Sequence, residues 1–189
     1  IGIATPDAIV AASSAFQNAE TQRQTTYKAQ IDQAEARRAA IAAQLEPLYT
    51  KLEADSQAAS PNRQALQQQA AQIQQIEQSG QAEINRLLQP VALSRAYVVE
   101  QISDQLTAAM DAAKARRKIT LVLSPNGVIS ADQAYNLNQD VVNELNRLIP
   151  NAQLVPPQGW MPRAQREAAA QQQAQQPAAQ PAAQPATSR

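Results

Sequence analysis

The chain of 189 residues carries 16 basic and 16 acidic side chains, no histidine and no cysteine. This excludes Ser-His and Cys-His nucleophile pairs, thiolate chemistry and histidine-ligated metals, and zero net charge with one Trp and four Tyr leaves no nucleic-acid footprint. Alanine (40) and glutamine (31) exceed a third of the sequence, and only 43 residues are Ile, Val, Leu, Met, Phe, Trp or Tyr, which is thin for one globular core and suits an extended helical protein burying a narrow stripe.

The four glycines, Gly2, Gly80, Gly127 and Gly159, are isolated, so no phosphate-cradling loop pattern exists, and no apolar run approaches the roughly 18 residues needed to span a bilayer. No cofactor or metal is implied. Acid pairs such as Glu53 and Asp55 sit on one helix beside no expected pocket, so no enzymatic activity is expected.

Residues 1–5 form a short β-prone apolar stretch. Thr5, Pro6 and Asp7 then read as an N-cap, a proline at the first helical position and an acid in the first turn. From 6 to 117 almost every residue is a helix former. Tyr27, Ile31, Ala34, Ile41, Leu45, Leu48 and Leu52 make a heptad seam, with Arg38 in its missing position. The pattern breaks near 57–61, where Ser60 is expected to cap a second helix and Pro61 to open it. A second seam follows through Leu66, Ile73, Ile76, Gly80, Ile84, Leu87, Val91, Val98, Ile102 and Leu106, with one extra residue inserted around Gly80. Two helices of about 50 residues predict an antiparallel hairpin roughly 70–80 Å long. Pro47 and Pro90 each delete a backbone hydrogen bond and are expected to act as arm hinges.

Residues 118–123 (KITLVL) read as a strand, 124–127 as a turn and 128–130 as a second short strand. Asn138 is expected to cap a helix whose apolar face is Val141, Val142, Leu145, Leu148 and Ile149, with Leu137 and Val142 forming a hydrophobic staple, before Pro150 stops it. Two or three strands and one short helix leave open edges, which predicts completion by other copies of the chain. The expected oligomer interface is Ile1, Ile3, Ile119, Leu121, Leu123 and Val128. The segment 151–189 is rich in Gln, Ala and Pro and ends in AAQP repeats, so it reads as a disordered tail.

The fold class is therefore mostly α with a small β body, formed by 1–5 and 118–150, from which a coiled-coil hairpin arm, 6–117, projects. That order, together with KITLVL at 118–123, Val128 and Ile129, the run 136–142, Tyr27 with Lys28, and Leu45-Glu46-Pro47-Leu48, resembles the OmpH/Skp family of periplasmic chaperones, especially its alphaproteobacterial members. Asn138 stands where family members usually carry a capping Thr. The resemblance implies a jellyfish-like homotrimer whose strands form a central barrel and whose arms enclose a cavity. It implies an ATP-independent holdase for unfolded outer-membrane proteins, located in the periplasm, with a leader removed before Ile1; it leaves peripheral membrane contact by the arm tips open.

Charge departs from the strongly basic arms of well-known members. Residues 46–85 hold Lys51 and Arg63 against Glu46, Glu53, Asp55, Glu77 and Glu83, whereas 20–38 and 86–118 hold ten bases against six acids. Client attraction is thus expected at the basic arm root, at Arg37, Arg38, Arg86, Arg95, Lys114 and Arg116, and should weaken as salt rises. Alternatives are a structural coiled-coil stalk, which leaves the strand region without a purpose, and a prefoldin-like cytosolic chaperone.

Overall fold

A computed structural model describes residues 1–175. The chain folds as two units, 1–156 and a smaller one beginning at Pro157. In the first, strand β1 (Gly2–Ile3) precedes helices α1 (Pro6–Ala12), α2 (Ser14–Thr26), α3 (Lys28–Ser56) and α4 (Arg63–Arg117), then strand β2 (Val122–Leu123) and helix α5 (Asn138–Leu148). The second holds helix α6 (Arg163–Gln175), with the Arg166 guanidinium 6.0 Å from the Trp160 ring centroid.

Pro6 opens α1 with Asp7 in the first turn, but the Thr5 side chain makes no cap bond. The first helical stretch breaks twice where composition gave no warning. At Ser13 the backbone turns extended, and the hydroxyl donates to the Val10 carbonyl at 2.7 Å while accepting from the Phe16 N–H at 3.3 Å. A second break falls at Tyr27, between α2 and α3. Beyond it, every apolar residue of both predicted seams is buried or half-buried: heptad spacing keeps one stripe of α3 facing α4, while Val98, Ile102 and Leu106 near the C-terminal end of α4 pack into the helical core. Arg38 is the exception among the seam positions: it is exposed, and Arg37 takes the inward side and pairs with Glu83. Asn62, not Ser60, caps α4; its side chain accepts the Ala65 N–H at 3.1 Å, and the helix begins at Arg63 rather than Pro61.

The α3 and α4 pairing is antiparallel, since Asp55 meets Gln69, Tyr49 meets Glu77, Ile41 meets Gly80 and Arg37 meets Glu83. Its inner cluster is Ala34, Ile41 and Ile84, flanked by Leu45, Ile76, Leu87 and Leu88. The larger core lies elsewhere. Ile9 and Val10 of α1, Ala15, Phe16 and Ala19 of α2, Val98, Ile102, Ala109 and Ala113 of α4, and Val141, Val142 and Leu145 of α5 pack into one cluster with Ala4 and Leu137. Residues 6–26 and the C-terminal part of α4, assigned to the arm by sequence, therefore belong to a helical body. The first apolar residues find α5 because β1, pinned beside β2, delivers α1 directly to it.

The sheet is smaller than expected. β1 pairs parallel with β2, Gly2 opposite Val122 and Ile3 opposite Leu123. Residues 118–121 are not strand: Lys118 closes α4 in the left-handed conformation, and the Ile119 N–H returns to the Lys114 carbonyl at 2.9 Å. The expected strand at 128–130 is also absent, because 125–127 form a 3₁₀ turn and the Val128 N–H donates to Pro125 instead of to a partner strand. Asn138 does not cap α5. Its side-chain oxygen accepts the Thr5 N–H at 2.8 Å, tying the start of α1 to the start of α5, and Leu137 stands at the cap position. Gly2 is required here, since a Cβ would lie 2.1 Å from the Leu137 Cδ1.

The segment after α5, read as tail by composition, is ordered through Pro156. Gln153 exchanges two hydrogen bonds with the Gln101 side chain, both 2.9 Å, its own side chain accepts from Tyr97, and Ile149, Ala152 and Leu154 pack on the core. From 163 to 175 the chain is α6, since Ala, Gln, Glu and Arg all favour helix. The AAQP repeats, at Pro177, Pro181 and Pro185, lie outside the described residues.

Candidate functional site

Among the described residues no cluster of acids could hold a metal ion, and no helix is long and apolar enough to cross a membrane. Three surfaces are the functional candidates: the strand edge, the arm root and the arm itself.

At the strand edge, Ile1 is 61% exposed, Leu121 48% and Leu123 39%. Ile3, Ile119 and Val128 are half-buried, and Ile119 already packs on the core. Ile129 and Tyr135, which were not placed in the expected interface, are exposed in the same region of the chain. Exposed aliphatic side chains beside a two-stranded sheet are an uncovered surface rather than a finished core.

The arm root is less basic than the sequence suggested. Arg37 is paired with Glu83; Arg95 lies 3.5 Å from Glu20 and 5.5 Å from the Phe16 ring centroid; Lys114 is 3.0 Å from Asp111 and Arg116 2.8 Å from Glu144. Four of the six expected attracting cations thus face an acid of their own chain. Arg38 and Arg86 are exposed and stand in no ion pair among the described residues. Pro47 and Pro90 both lie inside continuous helix.

Sequence reasoning missed a buried polar joint at the base of the arm. Arg23 is only 3% exposed; it pairs with Glu20, and its Nε donates to the Ser94 hydroxyl at 3.1 Å, which in turn donates to the Leu154 carbonyl at 2.7 Å. The chain therefore links α2, α4 and the segment after α5 next to the α2–α3 break. A signal for it existed: Val91 and Val98 leave an inward position between them, and Ser94 fills it. A serine in an apolar seam requires a partner when buried.

At the far end, α3 and α4 flank a shallow groove of about 630 Å³ lined by Tyr49, Leu52, Glu53, Ser56, Leu66, Gln67 and Ala70. The Tyr49 hydroxyl donates to Glu77, which pushes the tyrosine titration above its ordinary value. Asp55 accepts from Lys51 and from Gln69, each at 2.6 Å, and these donors hold its carboxyl below the usual carboxylate range. Lys28 at the arm base is raised by its hydrogen bond to Asp32.

With this arrangement in view, the OmpH-like outer membrane protein family matches residues 1–145, over three quarters of the sequence. The chain belongs to the OmpH-like family. Among curated proteins no match is found. A crystal structure of a candidate OmpH-like outer membrane chaperone from Caulobacter crescentus superposes with a TM-score of 0.51, covering 84% of this chain and 92% of that one at 17% identity. At that identity the likeness concerns the fold: a mostly helical OmpH-like chain with a very small sheet.

Proposed function

We propose that this OmpH-like chain is an ATP-independent periplasmic holdase that keeps unfolded outer-membrane proteins from aggregating. The observation that carries the reading is the paired α3 and α4, which extend past the closed helical core with their own thin seam and nothing packed on their outer faces among the described residues. A structure of that kind offers an extended surface to a client. The family match and the OmpH-like chaperone of similar fold support the same conclusion.

In this reading three copies pool the strand edges through Ile1, Ile3, Leu121, Leu123 and Val128, with Ile119 behind them, and the three arms enclose the client. An unfolded barrel precursor exposes apolar strands that pair edge to edge with their neighbours. Enclosure separates one chain from the next, while many weak contacts hold it without a folding step. Arg38 and Arg86 are the root cations left to attract anionic client segments at a distance, and Pro47 and Pro90 let the arms adapt to client size.

The test is light scattering of a diluted, urea-unfolded outer-membrane protein. Suppression is expected near one trimer equivalent per client, without nucleotide. Undiminished scattering at that ratio would remove the holdase reading.

A further inference from the structure

The groove between α3 and α4 is the end of their seam, left partly uncovered, and the charge around it is mostly negative. Leu52 and Leu66 are half-buried and Tyr49 is 46% exposed, so the floor is aliphatic and aromatic surface that no described residue covers. Glu53 lies in the lining, Glu77 receives the Tyr49 hydroxyl at one end, and Glu46 stands seven residues before Glu53, on the same face of α3. None of these three carboxylates meets a cation among the described residues; Lys51 is held by Asp55, and the exposed Arg63, one turn before Leu66 and Gln67, leaves the acids in excess. At the arm root, by contrast, four of the six cations face an acid of their own chain, Arg38 and Arg86 remain unpaired among the described residues, and the whole chain is neutral. The groove thus combines apolar floor with unmatched negative charge, which complements a polypeptide carrying positive charge beside apolar side chains and disfavours an anionic lipid surface.

We infer that this groove docks cationic–apolar polypeptide segments, stretches in which Lys or Arg alternates with aliphatic or aromatic residues. The inference rests on the holdase reading for its biological setting and names the class of client segment the arm ends select. Alternation is the appropriate pattern because an extended segment presents its side chains to opposite sides, laying apolar groups on Leu52, Leu66 and Ala70 while its cations reach the carboxylates.

The test uses the full chain and two fluorescein-labelled peptides of equal length, one alternating Leu and Lys, the other Leu and Glu, followed by fluorescence anisotropy. The Lys peptide should bind at least about tenfold more tightly, and the difference should shrink as salt rises. The double variant Glu53→Gln and Glu77→Gln, which keeps an acceptor for Tyr49, should lose about tenfold in affinity for the Lys peptide and flatten its salt dependence. Equal binding of the two peptides, unchanged affinity in the double variant, or stronger binding to phosphatidylglycerol vesicles than to the Lys peptide would each overturn the assignment. Scattering assays on the same preparations separate the two readings. Suppression of client aggregation without peptide discrimination overturns the groove and leaves the holdase; peptide discrimination without suppression supports the groove and removes the holdase.

Discussion

Gly80 of α4 faces Ile41 of α3, and a Cβ there would stand 2.5 Å from the Ile41 Cδ1 and 3.1 Å from its Cγ1. Two effects compete on substitution. Alanine gains about 1 kcal/mol of helix propensity over glycine, and overpacking costs about 1–3 kcal/mol. Gly80→Leu should therefore lower the urea midpoint clearly, whereas Gly80→Ala made in an Ile41→Val background, where the contacting methyl is gone, should be more stable than Ile41→Val alone. The polar residues at the arm end give the pH dependence. Asp55 titrates lower in the folded chain than when unfolded, so its contacts with Lys51 and Gln69 stabilise above the ordinary carboxylate range and are lost as pH falls through the folded value. Tyr49 titrates higher when folded, so its bond to Glu77 stabilises below the ordinary tyrosine value and is lost as pH rises through the folded one. Amide exchange near the α3–α4 loop should accelerate at both extremes; Asp55→Asn should remove the acid limb and Tyr49→Phe the alkaline one. Both groups are exposed, so the effect is local and global unfolding should move little.

At the scale of elements, Pro47 and Pro90 each occupy helix interior, where proline removes a hydrogen bond to the carbonyl four residues earlier, Ala43 and Arg86 respectively. Pro47→Ala and Pro90→Ala should raise the thermal midpoint, each by a stabilisation of up to about 3 kcal/mol. If the prolines serve arm flexibility, the stiffened double variant should also suppress aggregation of fewer client sizes. The two long helices and their inward stripes were legible because a heptad pattern sustained over many turns admits one geometry. The caps were not. Asn62 displaces Ser60 at α4, and Asn138 is taken by the Thr5 N–H, 133 positions away, before it can cap its own helix. The strand expected at 128–130 failed for a related reason: its β-branched residues favour extension, but the Pro125 carbonyl takes the Val128 N–H into a 3₁₀ turn first. Composition misread 151–156 as well, since Gln, Val and Pro look like linker until Gln153 meets Gln101.

For the whole molecule, the decisive quantity is the number of copies. The helical core of α1, α2, α4 and α5 gives one chain more internal support than a strand-based body would have, because Ile9, Val98, Ile102, Leu137, Val141 and Leu145 are all fully buried within it. In the proposed trimer, association would cover the exposed edge at Ile1, Leu121, Leu123 and Ile129 rather than complete the core. Sedimentation velocity should show a trimer that dissociates on dilution without loss of helical circular dichroism, and Leu121→Glu with Leu123→Glu should give a folded monomer. A wild-type monomer at high concentration would remove the enclosed cavity from the proposal. Sequence alone settled the helical class, the antiparallel seams and the family likeness, because repeated apolar spacing and chain order are local and additive. Tertiary structure decided which strand pairs with β2, where the core lies, and which cations face an acid of their own chain. Arg37 with Glu83, Arg23 with Ser94 and Arg116 with Glu144 join residues from distant parts of the chain, and no local pattern encodes which distant partner reaches a charge first.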